Sequence, residues 1–175
     1  MASNIRKRIS KKITKALFDF PMINEGDRVL VGLSGGKDST ALLLSLFSRL
    51  GKFGAPFELA GLHIQSDFGD KAPKNFVKSL EALVNIPIYY LDIAIEGRLK
   101  DGERLNCYWC STQRRTELIK FAKENGFNKI ALGHHLDDIL ETLLMNMLYK
   151  GEFSGMPPFV PYEKYPVSVI RPLCY

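Results

Sequence analysis

Short apolar runs alternate along this chain with longer segments whose apolar positions recur every three or four residues. The runs near residues 28–33, 58–64, 87–92, 128–132 and 167–171 are bounded by glycine, proline or polar clusters and read as strands. The segments near 3–19, 37–50, 73–84, 111–125 and 135–149 read as helices. Strand–helix alternation at these lengths predicts an α/β fold: a doubly wound, parallel five-stranded sheet with right-handed crossovers and helices on both faces. An amphipathic helix precedes it. Ligands of such sheets lie beyond the carboxyl ends of the strands, where the strand order reverses. The long connections at 92–106 and 150–166 are polar or carry prolines (Pro157, Pro158, Pro161, Pro166), and they are candidates for substrate contact.

Charge separates the first helix from the rest. Residues 1–15 carry Arg6, Lys7, Arg8, Lys11, Lys12 and Lys15 and no acid, whereas the remaining 160 residues hold 18 basic and 19 acidic side chains. Ile5, Ile9, Ile13 and Leu17 recur every fourth residue, so residues 1–20 read as a basic amphipathic helix in front of one domain over 21–175. Its basic face suits RNA phosphates; a solvated face and an organelle-targeting leader are the other readings. A chain of 175 residues with 46% hydrophobic and 25% charged content is long enough for one real core. No apolar run approaches the ~20 residues of a membrane span, so no membrane contact is expected. Three cysteines, of which two form a close pair, do not make a disulfide framework, which points to a reducing cytoplasm.

The chemistry starts where the first strand ends. Ser34-Gly35-Gly36-Lys37-Asp38-Ser39 joins Arg28–Leu33 to a helix that begins near Lys37. Two glycines permit a tight turn with no side chain in the way of an incoming group. The turn and the helix start aim backbone N–H groups at one point, which is an anion site suited to phosphate. The spacing matches neither a Walker loop nor the dinucleotide Gly-x-Gly-x-x-Gly. It resembles the shorter Ser-Gly-Gly-x-Asp-Ser loop of the PP-loop ATP pyrophosphatases, which bind ATP and cleave between its α- and β-phosphates.

A second constellation follows the fourth strand: Gly133-His134-His135-Leu136-Asp137-Asp138. Leu136, Ile139, Leu140, Leu143, Leu144 and Met147 repeat at helical spacing and are expected to form the core face, with His134, Asp138 and Glu141 opposite. Acids at a helix start are also plain dipole chemistry. Beside a phosphate loop they can hold Mg²⁺ or position an attacking group.

The third is Cys107-Tyr108-Trp109-Cys110, ahead of a helix over Ser111–Lys123. The spacing lets two thiolates bind one metal centre, and a helix start favours the ligand form of a thiol. The pair fits half a zinc site, a redox pair, two buried thiols, or an iron–sulfur cluster completed by Cys174 with one iron left open.

Taken together, these pieces resemble the tRNA 2-thiocytidine biosynthesis proteins, a thiolation branch of the PP-loop superfamily. The resemblance runs through Asp19–Ile23, Gly26–Val29, Ser34–Ser39, Cys107–Ser111 with Arg114-Arg115, and Ala131–His135 with Asp137-Asp138. It continues into Gly155-Met156-Pro157-Pro158 and Ile170-Arg171-Pro172-Leu173, the most discriminating pieces. It implies a Rossmann-like PP-loop ATP-binding domain over 21–175, C-terminally shorter than its relatives. It implies a sulfurtransferase that adenylates the C2 oxygen of an anticodon-loop cytidine of tRNA with ATP and Mg²⁺ and replaces it with sulfur held on a [4Fe–4S] cluster. The implied partners are tRNA, a sulfur donor such as a cysteine desulfurase, and a second copy of the chain.

The expected site follows. Ser34, Gly35, Gly36, Lys37, Asp38 and Ser39 hold the phosphates, with Asp38 near the metal. The backbone at His63 and Ile64 reads adenine, and Gly133 and His134 shape the α-phosphate side. Asp137 or Asp138 supports adenylation. Cys107, Cys110 and Cys174 hold the cluster, although Cys174 follows Leu173 directly, a register displaced from the family's third cysteine. Two rival functions remain: a carbonyl-activating ligase of the tRNA lysidine synthetase type, which shares Ser-Gly-Gly-x-Asp-Ser and Gly-His-His-x-x-Asp-Asp, and a non-catalytic ATP- or RNA-binding module.

Overall fold

The structure is a computed structural model that describes residues 2–52, 54–67, 75–99 and 106–175. Among the described residues six strands form one sheet: β1 (Arg28–Leu33), β2 (Glu58–Ser66), β3 (Ile88–Ile93), β4 (Lys129–Ala131), β5 (Phe159–Pro161) and β6 (Ser168–Ile170). The helices are α1 (Ala2–Asp19), α2 (Lys37–Phe47), α3 (Phe76–Leu83), α4 (Cys107–Glu124) and α5 (Leu136–Lys150). The sheet order is β3-β2-β1-β4-β6-β5. Every pairing is parallel except β5 with β6. The order reverses between β1 and β4, so the crevice beyond their carboxyl ends is the ligand position of an open α/β sheet.

The sixth strand is a correction to the five expected from sequence. Pro157, Pro158 and Pro161 make 150–166 read as a loop. Yet β5 is an edge strand, where a residue without an N–H costs no ladder bond.

Strand residues alternate between two cores. Val29, Val31 and Leu33 face one side with Leu42, Leu43 and Leu46 of α2 and Leu80 of α3. Leu30, Ala60, Leu62, Ile130 and Val169 face the other, against Leu118, Ile119 and Ala122 of α4. α1 belongs to the first core through Ile13, Ala16 and Leu17, while Ile5 and Ile9 stay exposed, so its apolar stripe is only half used. Arg49 clamps α1 to α2, donating to the Ser10 carbonyl at 2.8 Å and to Thr14 Oγ1 at 3.1 Å.

α5 departs from expectation more strongly. No residue of this helix is fully buried. Ile139 packs on the first core and Leu143 lies beside Gly155, but Leu136, Leu140, Leu144 and Met147 are 40–55% exposed, on the side expected to face the core. The apolar positions spread over two arcs of the helix, and only one meets the domain. Asp138, expected opposite the core face, is half-buried on the inner arc.

Candidate active site

The Ser-Gly-Gly loop has the predicted strand–turn–helix geometry. Gly35 adopts φ +88°, a conformation that L side chains rarely take. Gly36 caps α2 from extended backbone without a side-chain cap, leaving the helix start open. Ser39, buried, ties the turn together: its hydroxyl accepts from the Ser34 N–H at 3.2 Å and donates to the Gly36 carbonyl at 3.2 Å. Ser34 Oγ lies 3.1 Å from Ser39 Oγ and accepts from the Gly36 N–H at 3.3 Å. Lys37 is exposed and Asp38 half-buried in the first turn of α2.

Gly133 brings the second constellation against this loop. A β-carbon on Gly133 would lie 2.8 Å from the Ser39 nitrogen and 3.0 Å from its Cα. His135 then caps α5, its N–H donating to Asp138 Oδ2 at 2.8 Å, with His135 Nδ1 at 3.5 Å from the same oxygen. Asp138 is therefore committed to a capping interaction, whereas Asp137 is exposed in the first turn.

A cavity of about 670 Å³ opens beyond the ends of β1, β2 and β4. Its wall includes Ser34, Ile64, His134, Cys107, Cys110 and Arg114. The Ser-Gly-Gly loop and the cysteine pair thus share one space. α4 starts at Cys107, four residues before the expected Ser111, because Asn106 caps it by accepting the Trp109 N–H at 2.8 Å. Cys107 is exposed and Cys110 buried, one turn apart on the same helix start.

Two of the expected residues behave differently from their neighbours. The His63 side chain turns away from this cavity: it is buried between Phe76 and Tyr90, with Nδ1 2.8 Å from the Leu33 carbonyl. The main chain fares better, since β1 pairing stops at His63 while β2 continues to Ser66 beside β3. That leaves the β1-side backbone edge of Ile64 beyond the reach of β1 pairing.

Cys174 is the correction among the cysteines. The structure does not bring it to Cys107 and Cys110; it packs in the first core with Ile13, Leu17 and Met22. After β6 the chain turns toward α1, where Tyr175 donates to Asp19 at 2.6 Å and Lys15 covers its ring at 4.4 Å. Burial pushes the Cys174 thiol above its ordinary value, which opposes thiolate formation. Among the described residues, no group of three or more histidine, cysteine or acidic side chains is arranged to hold a metal ion.

Sequence reasoning left three arginines without a role. Arg114 lies in the cavity wall and donates to Ser66 Oγ at 2.8 Å. Arg115 follows it at the rim. Arg171 is buried and donates to the Pro157 carbonyl at 2.5 Å, which joins the Gly-Met-Pro-Pro and Arg-Pro-Leu segments in space. The sequence signal was their place inside the resembling motifs. Burial, then the charges of Arg171 and Arg115, hold His134 below its ordinary value against the opposing pull of Asp138, so its imidazole is neutral at pH 7.

The chain is 38% identical over 176 residues to a tRNA-cytidine(32) 2-sulfurtransferase of Legionella pneumophila (strain Corby), covering 99% of this chain and 62% of the relative. It is 39% identical to the enzyme of that name from Vibrio cholerae serotype O1 (strain M66-2), covering 99% of this chain and 56% of the relative. The chain thus spans about three-fifths of the length of these relatives. In fold it is similar to the U34-tRNA thiolase NcsA from Methanococcus maripaludis, solved with its [4Fe-4S] cluster: TM-score 0.72, 22% identity, 95% of this chain and 57% of that one. It is also similar to an NH3-dependent NAD synthetase from Campylobacter jejuni: TM-score 0.59, 14% identity, 97% and 67% covered. Among the described residues no helix is long and apolar enough to cross a membrane. The profile of the PP-loop domain matches residues 1–175 throughout, and the chain belongs to the PP-loop domain family.

Proposed function

We propose that this chain catalyses ATP-dependent thiolation of tRNA in the cytoplasm, acting on the cytidine at position 32 named for its relatives. The observation that carries this reading is the single cavity shared by Ser34 of the phosphate loop and the thiols of Cys107 and Cys110. Domain 21–175 binds ATP, with phosphates on the backbone N–H groups of Gly35 to Ser39 and on the Ser34 and Ser39 hydroxyls. Lys37 supplies positive charge at the loop, Asp38 would hold Mg²⁺, which would supply charge neutralisation for the phosphates, and the main chain at His63 and Ile64 reads adenine. The α1 basic face (residues 1–20) meets RNA phosphates.

In the first step the C2 oxygen of cytosine attacks the α-phosphorus. The bond to the bridging oxygen breaks and pyrophosphate leaves, with Gly133 and His134 shaping the α-phosphate side and Asp137 orienting the attack. In the second step a sulfur nucleophile adds at C2, the C2–O bond breaks and AMP leaves. Cys107 and Cys110 fit two ligands of a [4Fe–4S] cluster, since both thiols lie at one helix start on the cavity; Cys174 does not fit as the third. Such a cluster supplies an open iron that presents sulfur. A sulfur donor, such as a cysteine desulfurase, replenishes it. A second copy covers the outer arc of α5. There Leu140 and Leu144 stand exposed side by side on one apolar strip.

The test is anaerobic reconstitution followed by incubation with tRNA, ATP and a persulfide donor. Pyrophosphate release together with 2-thiocytidine in the digested tRNA is the expected result. A ligase of the lysidine type releases pyrophosphate without needing iron or the two thiols. A binding module binds ATP and releases none. Either pattern would overturn the reading.

A further inference from the structure

Beyond β6, the chain runs beside the loop that carries His134. The Leu132 N–H donates to the Ile170 carbonyl at 3.0 Å, and His135 and Leu173 form a parallel bridge. Arg171 therefore sits alongside the Gly133–His134 turn. It is only 8% exposed, and its Nε is buried with no hydrogen-bond partner. Arg115 shares with it a cleft of about 160 Å³ that continues into the main cavity through Leu118 and Leu132. His134 lies on that same wall, its Nδ1 also buried and without a partner.

Among the described residues, no carboxylate lines the cleft or the cavity. Among the described residues, neither Arg115 nor Arg171 has an ion pair. Asp138, the acid that acts on His134, is already bound to the His135 N–H. Two guanidiniums at one opening, one of them desolvated with a donor left over, make a site that lacks its counter-charge. The planar fork of arginine matches the oxygens of a phosphate.

We propose that Arg171, Arg115 and His134 form a second phosphate-binding site, separate from the Ser-Gly-Gly loop, on the β4–β6 side of the cavity. Its ligand is a phosphate ester, either the α-phosphate of the nucleotide or a backbone phosphate of the RNA. That choice of sources rests on the thiolation reading; the existence of the site does not. An RNA phosphate held here would set the depth to which a neighbouring base enters the cavity. An α-phosphate held here would be drawn off the loop toward the attacking oxygen.

The test compares the unmodified chain with Arg115→Gln, which lies at the rim, and with Lys120→Gln as an exposed control on the same helix. Binding of ATP and of an anticodon stem-loop RNA is measured at several salt concentrations. The expected result is that Arg115→Gln weakens one of the two about tenfold while Lys120→Gln does not. Loss confined to ATP assigns the α-phosphate. Loss confined to RNA, with a shallower salt slope, assigns the backbone. Arg171→Lys, which keeps charge but loses the fork, should weaken the same ligand; its melting temperature shows whether it is folded, and Arg115→Gln decides the matter if it is not. Unchanged binding of both ligands by Arg115→Gln, or equal losses in Lys120→Gln, overturns the site. Binding that depends on Arg115 without pyrophosphate release would overturn the thiolation reading and leave the site standing.

Discussion

Gly133 stands so close to Ser39 that a β-carbon on it would lie 2.8 Å from the Ser39 nitrogen. The β4–α5 turn and the Ser-Gly-Gly loop are thereby in backbone contact, and no side chain fits between them. Gly133→Ala must push the two apart. Its expected cost is about 1–3 kcal/mol of stability, the usual penalty for overpacking. On the proposed assignment of the Ser39 N–H as a phosphate donor, ATP affinity should fall with it. Gly97→Ala is the matched control, since a β-carbon there meets nothing within 4 Å. Calorimetric ATP titration of both variants checks this, and equal affinities would refute it.

Asp137 and Asp138 should separate cleanly. Asp138 accepts the His135 N–H at 2.8 Å, so Asp138→Ala is expected to lower stability by on the order of 1 kcal/mol through loss of the α5 cap. Asp137 is exposed, so Asp137→Asn should leave the melting temperature unchanged and lower turnover more than ATP affinity. Thermal unfolding beside tRNA-dependent pyrophosphate release distinguishes the two. A catalytically silent Asp137→Asn would leave both acids as helix-start charges.

His134 should make the fold sensitive to acid. Its folded-state pKa is depressed from 6.5, first by burial and then by Arg171 and Arg115. Between that depressed value and 6.5 the unfolded chain binds more protons than the folded one. Stability is therefore expected to fall as pH drops below 6.5 and to stop falling, for this group, below the folded value. Denaturant melts of the unmodified chain and of His134→Gln across this window are the measurement. Parallel pH curves would show that His134 contributes nothing.

The three thiols should react in order of exposure. Cys107 is exposed, Cys110 buried at the cavity wall, and Cys174 buried in the core with a raised pKa. Timed alkylation followed by mass spectrometry is expected to label Cys107 first and Cys174 last. After anaerobic reconstitution, Cys107→Ala and Cys110→Ala should lose iron, whereas Cys174→Ala should retain it and lose stability instead. Loss of iron in Cys174→Ala would reinstate it as a ligand.

Leu140 and Leu144 are 47% and 55% exposed on the outer arc of α5. If a second copy covers them, the chain sediments as a dimer, and Leu140→Glu with Leu144→Glu converts it to a folded monomer. A monomeric unmodified chain would remove the dimer.

Local signals carried the architecture. The β-branched run 28–33, the glycines at 35 and 36 and the helix behind them are contiguous, so strand, turn and helix start were legible from neighbouring residues alone. The same holds for the parallel pairing of the central strands, because strand–helix alternation leaves few other arrangements; their order came only from the structure. Tertiary structure decided what depends on residues far apart in the chain. Periodicity shows that α5 is amphipathic but not which arc the sheet takes, and here the domain takes Ile139 and Leu143 rather than Leu140 and Leu144. Three cysteines suggest one metal centre, yet the turn after β6 directs Cys174 into the core on the α1 side while α4 directs Cys107 and Cys110 to the cavity. Arg115 and Arg171 are 56 positions apart and acquire a shared cleft only because the segment after β6 runs parallel to the segment after β4. Spacing along a chain reports neighbours on one element; which elements meet is set by how the sheet is wound and by which apolar faces it buries.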